Sequence, residues 1–404
     1  AGNVGMGYAA LNANTTASNN TAIGHYALAV NTTGSENTAV GRLSLDANTT
    51  GTNNVAVGNN ALSANTTANY NTAIGDGALN ANTTGTKNVA VGAYALDANT
   101  TASSNTAVGY NAIGANTTGT KLTAIGEGAL EANTTADSNT AVGYGTANSI
   151  TTGAYNTAVG AYALDANTTA NNNVAIGYAA LDANSTGASN TAVGTSALGA
   201  NTTASNNVAV GDQALEVNTT GAGNVSVGFK SLEANTTGGY NTAIGLGSLQ
   251  TNTTASNNVS IGVNSLNLNT TGTDNTAVGA GALGANTTAS DNTAVGDNAL
   301  ASNTTGTYNA AVGANALDAN STGDNNTALG YASQTATTTA SANTSVGSQT
   351  LQTNTTGASN TTVGFYSMAA NTTGAQNVAV GSYALDAATT ADNNIAVGYA
   401  ALSA

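Results

Sequence analysis

The sequence predicts an all-β chain: a parallel β-solenoid of about 24 coils, 17 residues each. Three observations carry this. A glycine recurs every 17 residues from Gly7 to Gly398, through Gly24, Gly41, Gly58, Gly75 and Gly92, with no insertion or deletion. Before each glycine stands a short triplet such as Thr38-Ala39-Val40, Val55-Ala56-Val57 or Thr72-Ala73-Ile74. After it, at fixed spacing, come an Ala-Leu pair and an Asn-Thr-Thr corner. A unit of this size cannot bury a core alone, so its neighbours must supply one. Length alone would suggest two or three globular domains. The unbroken repeat instead predicts one continuous region, residues 1–404, with no evident caps.

The unit is numbered here from its first asparagine, so that the glycine is position 5. Positions 2 to 4 alternate in the manner of a strand, whose side chains point to opposite faces in turn. Positions 2 and 4 should therefore share one face and the small residue at 3 the other. Val or Ile at 4, Leu at 9 and sometimes Val at 2 are expected to point inward. The glycine ends this strand or permits a turn that other residues resist. A second short strand is expected at positions 8 to 11, as in Ala95-Leu96-Asp97-Ala98, with the leucine inward and position 10 outward. Helix is disfavoured, because Asn, Thr and Gly at these densities are poor helix formers.

Asparagine fills position 1 in all units but one, Leu122 being the exception. It fills position 12 in all complete corners except at Ile150, Thr337 and Ala388. Position 14 is always Thr. Stacked amides can bond to their equivalents one coil away. The sequence thus predicts two asparagine ladders, one through Asn37, Asn54, Asn71 and Asn88, the other through Asn48, Asn65, Asn82 and Asn99. Small residues at positions 3, 5 and 8 imply close approach of another strand or another chain, and so oligomerisation about a tight axis.

Composition excludes several classes. The chain has 19 acidic and four basic residues, for a net charge of −15, so no basic patch exists to hold nucleic acid. No apolar run approaches the length of a membrane helix, and no membrane insertion is expected of this segment. Cysteine is absent and His25 is the one histidine, which leaves no thiol or His/Cys metal set. No convergent set of unlike catalytic groups is evident, so neither enzymatic activity nor a cofactor is expected. The acids at position 10, among them Asp46, Asp97, Glu131 and Asp165, read as a charged face rather than a calcium site. Each Asn-Thr-Thr is formally an N-glycosylation acceptor, but suits a ladder at a tight corner better. Adjacent threonines at 13 and 14 cannot both face out from a regular strand, so an ice-binding surface is a minor alternative.

All 15 tyrosines fall at positions 6, 7 or 17, outside the expected core. Tyr94, Tyr110, Tyr162, Tyr178 and Tyr383 are candidate adhesive residues, since an exposed phenol ring can stack on a sugar or a partner protein.

Asn-Thr-Ala-Ile-Gly at 71–75 and Asn-Val-Ala-Ile-Gly at 173–177 resemble the Asn-Ser-Val-Ala-Ile-Gly repeats of YadA-like trimeric autotransporter heads. The longer unit from Asn241 to Thr254 is also similar to repeats of phage-type and marine bacterial fibres. The resemblance spans essentially the whole chain, although the unit here is longer than the usual head repeat. It implies a left-handed β-roll, a homotrimer, an extracellular, cell-surface or virion-fibre location, and binding to a glycan or cell-surface receptor. The expected role is a structural fibre or adhesin shaft, both spacer and adhesive surface. The alternative is a single-chain solenoid that polymerises end to end into an extracellular filament.

Overall fold

A computed structural model describes residues 2–403. The chain divides into two units, Ala1–Ala204 and Ser205–Ala404. The first holds twelve strands, from β1 (Val4–Met6) to β12 (Thr191–Val193), and the second another twelve, from β13 (Val208–Val210) to β24 (Ile395–Val397). Every strand is three residues long and occupies positions 2 to 4 of its coil. Within each unit, consecutive strands pair in parallel at a shift of one repeat, as in Ala39↔Ala56 and Ala73↔Ala90. Each unit is thus a parallel β-solenoid, and no helix occurs among the described residues.

The faces of the strand are the reverse of the expected ones. Ala73 and Ala124, at position 3, are completely buried, while Ile74 and Ile125, at position 4, are 40% and 42% exposed. Position 3 is filled by small side chains, alanine in most coils, serine at Ser226, Ser260 and Ser345 and threonine at Thr362, all buried, so these face inward and the larger aliphatic residues of position 4 face out. The small side chains at positions 3 and 8 are accordingly explained inside one chain: Ala56 and Ala61 pack in the same core as Leu62, all three fully buried. They are not evidence of a second chain, as the sequence had suggested.

Only one strand forms per coil. Positions 6 to 11 make a run of turns in which positions 7 and 9 have positive φ, for example Leu43 at 52° and Leu45 at 51°. A β-strand cannot include such residues, which removes the predicted second strand. The leucine at position 9 still points inward, as expected: Leu28, Leu62 and Leu96 are fully buried. A left-handed conformation costs an L-residue roughly 1–2 kcal/mol. Burial of leucine returns about 1.5–3 kcal/mol. Backbone pairing adds to it: the Leu45 N–H donates to the Ala61 carbonyl of the next coil at 3.0 Å, while the Leu43 N–H donates to the His25 carbonyl of the preceding coil at 2.9 Å.

Position 5 demands glycine on two counts. At Gly41, φ is +136°, and a Cβ there would strike the carbonyl of Gly58 one coil on. The Gly41 N–H meanwhile donates to the Ile23 carbonyl at 2.8 Å. The same geometry holds at Gly24, Gly58, Gly75 and Gly92.

Both asparagine ladders form, and they converge on one acceptor. At position 1, the Asn54 N–H donates to Asn37 Oδ1 at 3.0 Å, and Asn37 Nδ2 donates to the Gly51 carbonyl at 2.8 Å. Asn71 and Asn88 continue this file. At position 12, Asn48 Nδ2 donates both to Asn31 Oδ1 at 2.9 Å and to the same Gly51 carbonyl at 3.0 Å. Asn65, Asn82 and Asn99 repeat it. These amides are wholly buried, so the chain carries a polar core beside its alanine–leucine core, held together by the bonding that buried polar groups require.

Candidate interaction surfaces

Three surfaces remain once the two cores are subtracted. The first is the outer face of the strands. Position 4 is Val, Ile or Leu in every coil but the first, where it is Met6, and position 2 is Thr, Val, Ile or Ala throughout, so no charge interrupts the face. Ile23, Ile74, Ile125 and Ile176 in the first unit, and Ile244, Ile261 and Val312 in the second, are each more than a third exposed. In each unit this makes a continuous apolar stripe, of the kind that marks an interaction surface in soluble proteins. The sequence reading missed it because alternation reveals that two faces exist but not which one faces in.

The second surface is the corner at positions 6 and 7, where aromatic rings from adjacent coils meet. Tyr94 and Tyr110 contact edge to face at 6.1 Å; Tyr162 contacts Tyr144 at 5.5 Å and Tyr178 at 6.1 Å. Tyr383 stacks on Tyr366 at 5.9 Å and meets Phe365 and Tyr399. Near the start of the chain, Tyr8 stacks on His25 at 5.3 Å. Tyr94, Tyr110, Tyr162 and Tyr178 are exposed, whereas Tyr383 is half-buried. The five candidate tyrosines thus belong to three separate clusters, built from neighbours that register brings together rather than from isolated rings. Tyr70, Tyr155, Tyr240 and Tyr308, at position 17, are exposed outside these clusters.

The third is the Asn-Thr-Thr corner. Its asparagine is buried in the coils after the first, as at Asn31, Asn48 and Asn65, so these formal glycosylation acceptors are inaccessible in the folded chain. The first threonine turns its hydroxyl onto the next coil, as Thr49 Oγ1 donates to the Thr66 carbonyl at 3.1 Å. The second, such as Thr33 or Thr50, is exposed. One open hydroxyl per coil results, rather than a pair.

The acids at position 10 are not fully solvated, contrary to the sequence reading. Asp46, Asp97, Asp165, Asp182 and Asp318 sit in a trough beside the corner, and partial burial pushes each carboxyl above its ordinary pKa. Backbone N–H groups at Asp97 and Ala98 offset part of this for Asp97, and the charge of Asp182 adds to it for Asp165. One ion pair is found among the described residues, Lys230 to Glu233 at 2.8 Å. No cluster of three His, Cys, Asp or Glu with metal-binding geometry occurs among them. No helix there is long and apolar enough to cross a membrane.

Between Tyr110 and Tyr162 the aromatic corner opens into a notch of about 300 Å3. Its floor is Gly128 and Gly145, successive occupants of position 7. Sequence reasoning passed over this feature, although the signal was present: nowhere else do two consecutive coils carry glycine at that position.

The sequence matches no protein-family model and no curated protein.

Proposed function

We propose that the chain is a structural repeat region of an extracellular fibre or adhesin, a stiff shaft that self-associates and displays an aromatic edge. The observation that carries this reading is the uncharged aliphatic stripe on the outer face of the strands. A repeat that places an uncharged apolar residue outward at position 4 of every coil, on a chain of net charge −15, leaves one surface on which like-charged copies can meet. Identical spacing lets a second copy match it rung for rung. The autotransporter-like motif makes three copies the expected number, packed through positions 2 and 4 instead of 3, 5 and 8. No site of catalysis is invoked, and the clustered tyrosines supply the adhesive surface for a glycan or a cell-surface receptor.

Solution mass by light scattering, over a range of concentrations, tests the proposal. Three chains at every concentration are expected. The doubly substituted Ile74→Lys/Ile125→Lys protein should fall to a single chain with an unchanged circular dichroism spectrum. A mass that climbs steadily with concentration would replace the trimer with an end-to-end filament. A wild-type protein that stays a single chain would remove self-association altogether.

A further inference from the structure

We infer that the notch above Gly128 and Gly145 is a binding site for a primary ammonium group carried on a small organic ligand. It deepens the display role of the shaft but does not depend on how many chains assemble.

The argument begins with where the repeat breaks down. Coils in this chain differ little, yet the two coils from 122 to 155 depart from the consensus at several positions at once. Leu122 replaces the asparagine of position 1, Ala147 the leucine of position 9, and Ile150 the asparagine of position 12. Leu122, Ala147 and Ile150 are all buried, so the core is refilled differently there. The outward consequence lies at position 7. Missing side chains at Gly128 and Gly145 leave a gap in the aromatic corner, walled by Tyr110, Tyr144 and Tyr162. Tyr144 and Tyr162 meet nearly at right angles, at 83°, and so form an angled aromatic wall.

The polar groups of the notch have one sign. Glu127, Glu131 and Asp165 line it and no basic residue does. Glu131 Oε1 is occupied by Asn111 Nδ2 at 2.7 Å, while its Oε2 hangs over Gly128. Asp165 is partly desolvated and uncompensated by any cation. Carboxylates beside aromatic faces and without a counter-charge, Glu131 and Asp165 half-buried and Glu127 exposed at the rim, favour an organic cation: the ring faces attract it and the acids neutralise it. The volume is at the small end of ligand pockets, enough for an alkylammonium chain or a single amino-sugar ring. A lysine side chain and an amino sugar present the same group, and the test separates them.

Filling the notch need not harm the fold. Asn60, Asn111, Asn264 and Asn298 occupy position 7 elsewhere at φ of 52–55°, close to the 65° and 57° of Gly128 and Gly145. A Cβ on Gly145 would sit 3.4 Å from the Tyr162 ring, and on Gly128 3.3 Å from Glu131 Oε2. The whole chain, wild type and Gly128→Asn/Gly145→Asn, is titrated by calorimetry with cadaverine, glucosamine and N-acetylglucosamine. Saturable binding of cadaverine or glucosamine is expected, with little response to the neutral N-acetylglucosamine. Binding should weaken at least about tenfold in the filled variant, while its thermal transition stays within a few degrees of wild type. A preference for cadaverine points to a lysine side chain as the natural ligand, and a preference for glucosamine to an amino sugar. Equal binding of N-acetylglucosamine, no binding of either amine, or undiminished binding by a filled variant that melts normally would each overturn the assignment. Failure here leaves the light-scattering result untouched, so the shaft and the notch stand or fall separately.

Discussion

The coils around Asn48 and those around Ile150 have the same backbone and different interiors. In the first, each position-12 amide hands its oxygen to the next rung. In the second, Ile150 offers no donor, and Asn133 Oδ1 is left buried without a partner. The same happens twice more. Thr337 orphans Asn320 Oδ1, and Ala388 orphans Asn371 Oδ1. Three interruptions of the ladder thus leave three orphaned oxygens, each on the preceding coil. The contrast teaches that the ladder is directional: each amide depends on its successor, and a substitution is felt one coil upstream of where it is made.

The comparison can be broken most violently at position 9. Leu96 is fully enclosed, while the one polar occupant of position 9, Gln334, is tolerated because its Nε2 reaches the Thr327 carbonyl at 2.9 Å and Ser345 Oγ at 2.8 Å, and even so its Oε1 is unpartnered. A charge at Leu96 would have no such partners. Leu96→Asp should cost at least about 4 kcal/mol, measured by denaturant unfolding. Its neighbour Asp97→Ala should shift stability by no more than about 0.5 kcal/mol. Similar midpoints for the two would contradict the facing of these residues.

A smaller effect comes from cutting an intact rung. Asn48→Ala deletes the donors to Asn31 Oδ1 and the Gly51 carbonyl, and the acceptor of Asn65 Nδ2. Asn37 Nδ2 still reaches the Gly51 carbonyl and Asn65 Nδ2 the Ala68 carbonyl, so Asn31 Oδ1 alone is left buried without a partner, and the loss should cost about 2–3 kcal/mol. Hydrogen exchange should rise first on the coil containing Asn31. Uniform loss of protection along the chain would argue against a directional ladder.

Smaller again is repair. Ile150→Asn alone restores the bond to Asn133 but removes a fully buried aliphatic side chain from a coil that already lacks the position-9 leucine, at Ala147. The pair Ala147→Leu/Ile150→Asn should therefore exceed the sum of its parts and stabilise the chain by about 1–3 kcal/mol. Strict additivity in a double-mutant cycle would show that the two sites are not coupled.

The weakest effect is that of pH. Burial raises the carboxyl pKa of Asp46, Asp97, Asp165, Asp182 and Asp318 in the folded chain. A raised folded pKa means that stability is fully present below the unfolded value and is lost as pH rises through the folded one. The melting temperature should accordingly climb by a few degrees on acidification from neutral pH into the ordinary carboxylate range. Glu233 opposes this, since its bonds to Lys230 and Gln250 outweigh its burial and hold its pKa down. Replacing the five aspartates by asparagine should abolish the climb.

Much of this architecture was legible because a period cannot be disguised. The 17-residue phase places Gly41 above Gly58 and Asn37 above Asn54, and the ladders follow from chemistry alone. The clustered tyrosines were also readable as a surface, but their grouping needed the coil-to-coil register. What the sequence hid was which side of a three-residue strand faces in. Here the small side chain, Ala39, is the buried one and Val40 the partly exposed one, against the usual association of larger apolar residues with interiors. The left-handed leucines were hidden too, because their conformation is set by stacking and not by local propensity. The notch was visible only as a coincidence of two glycines, Gly128 and Gly145, whose meaning depends on the rings beside them.

The buried amides have one consequence of another kind. Asparagine ages chemically when the backbone nitrogen of the following residue attacks its side-chain carbonyl and expels ammonia. At Asn37 that nitrogen, on Thr38, donates to the Asn54 carbonyl at 2.8 Å, while Asn37 Oδ1 and Nδ2 are both held. The attack would require the rung to open. The two files of buried asparagines are thereby protected from slow decay for as long as the coils stay stacked, and their chemical lifetime becomes a property of the fold.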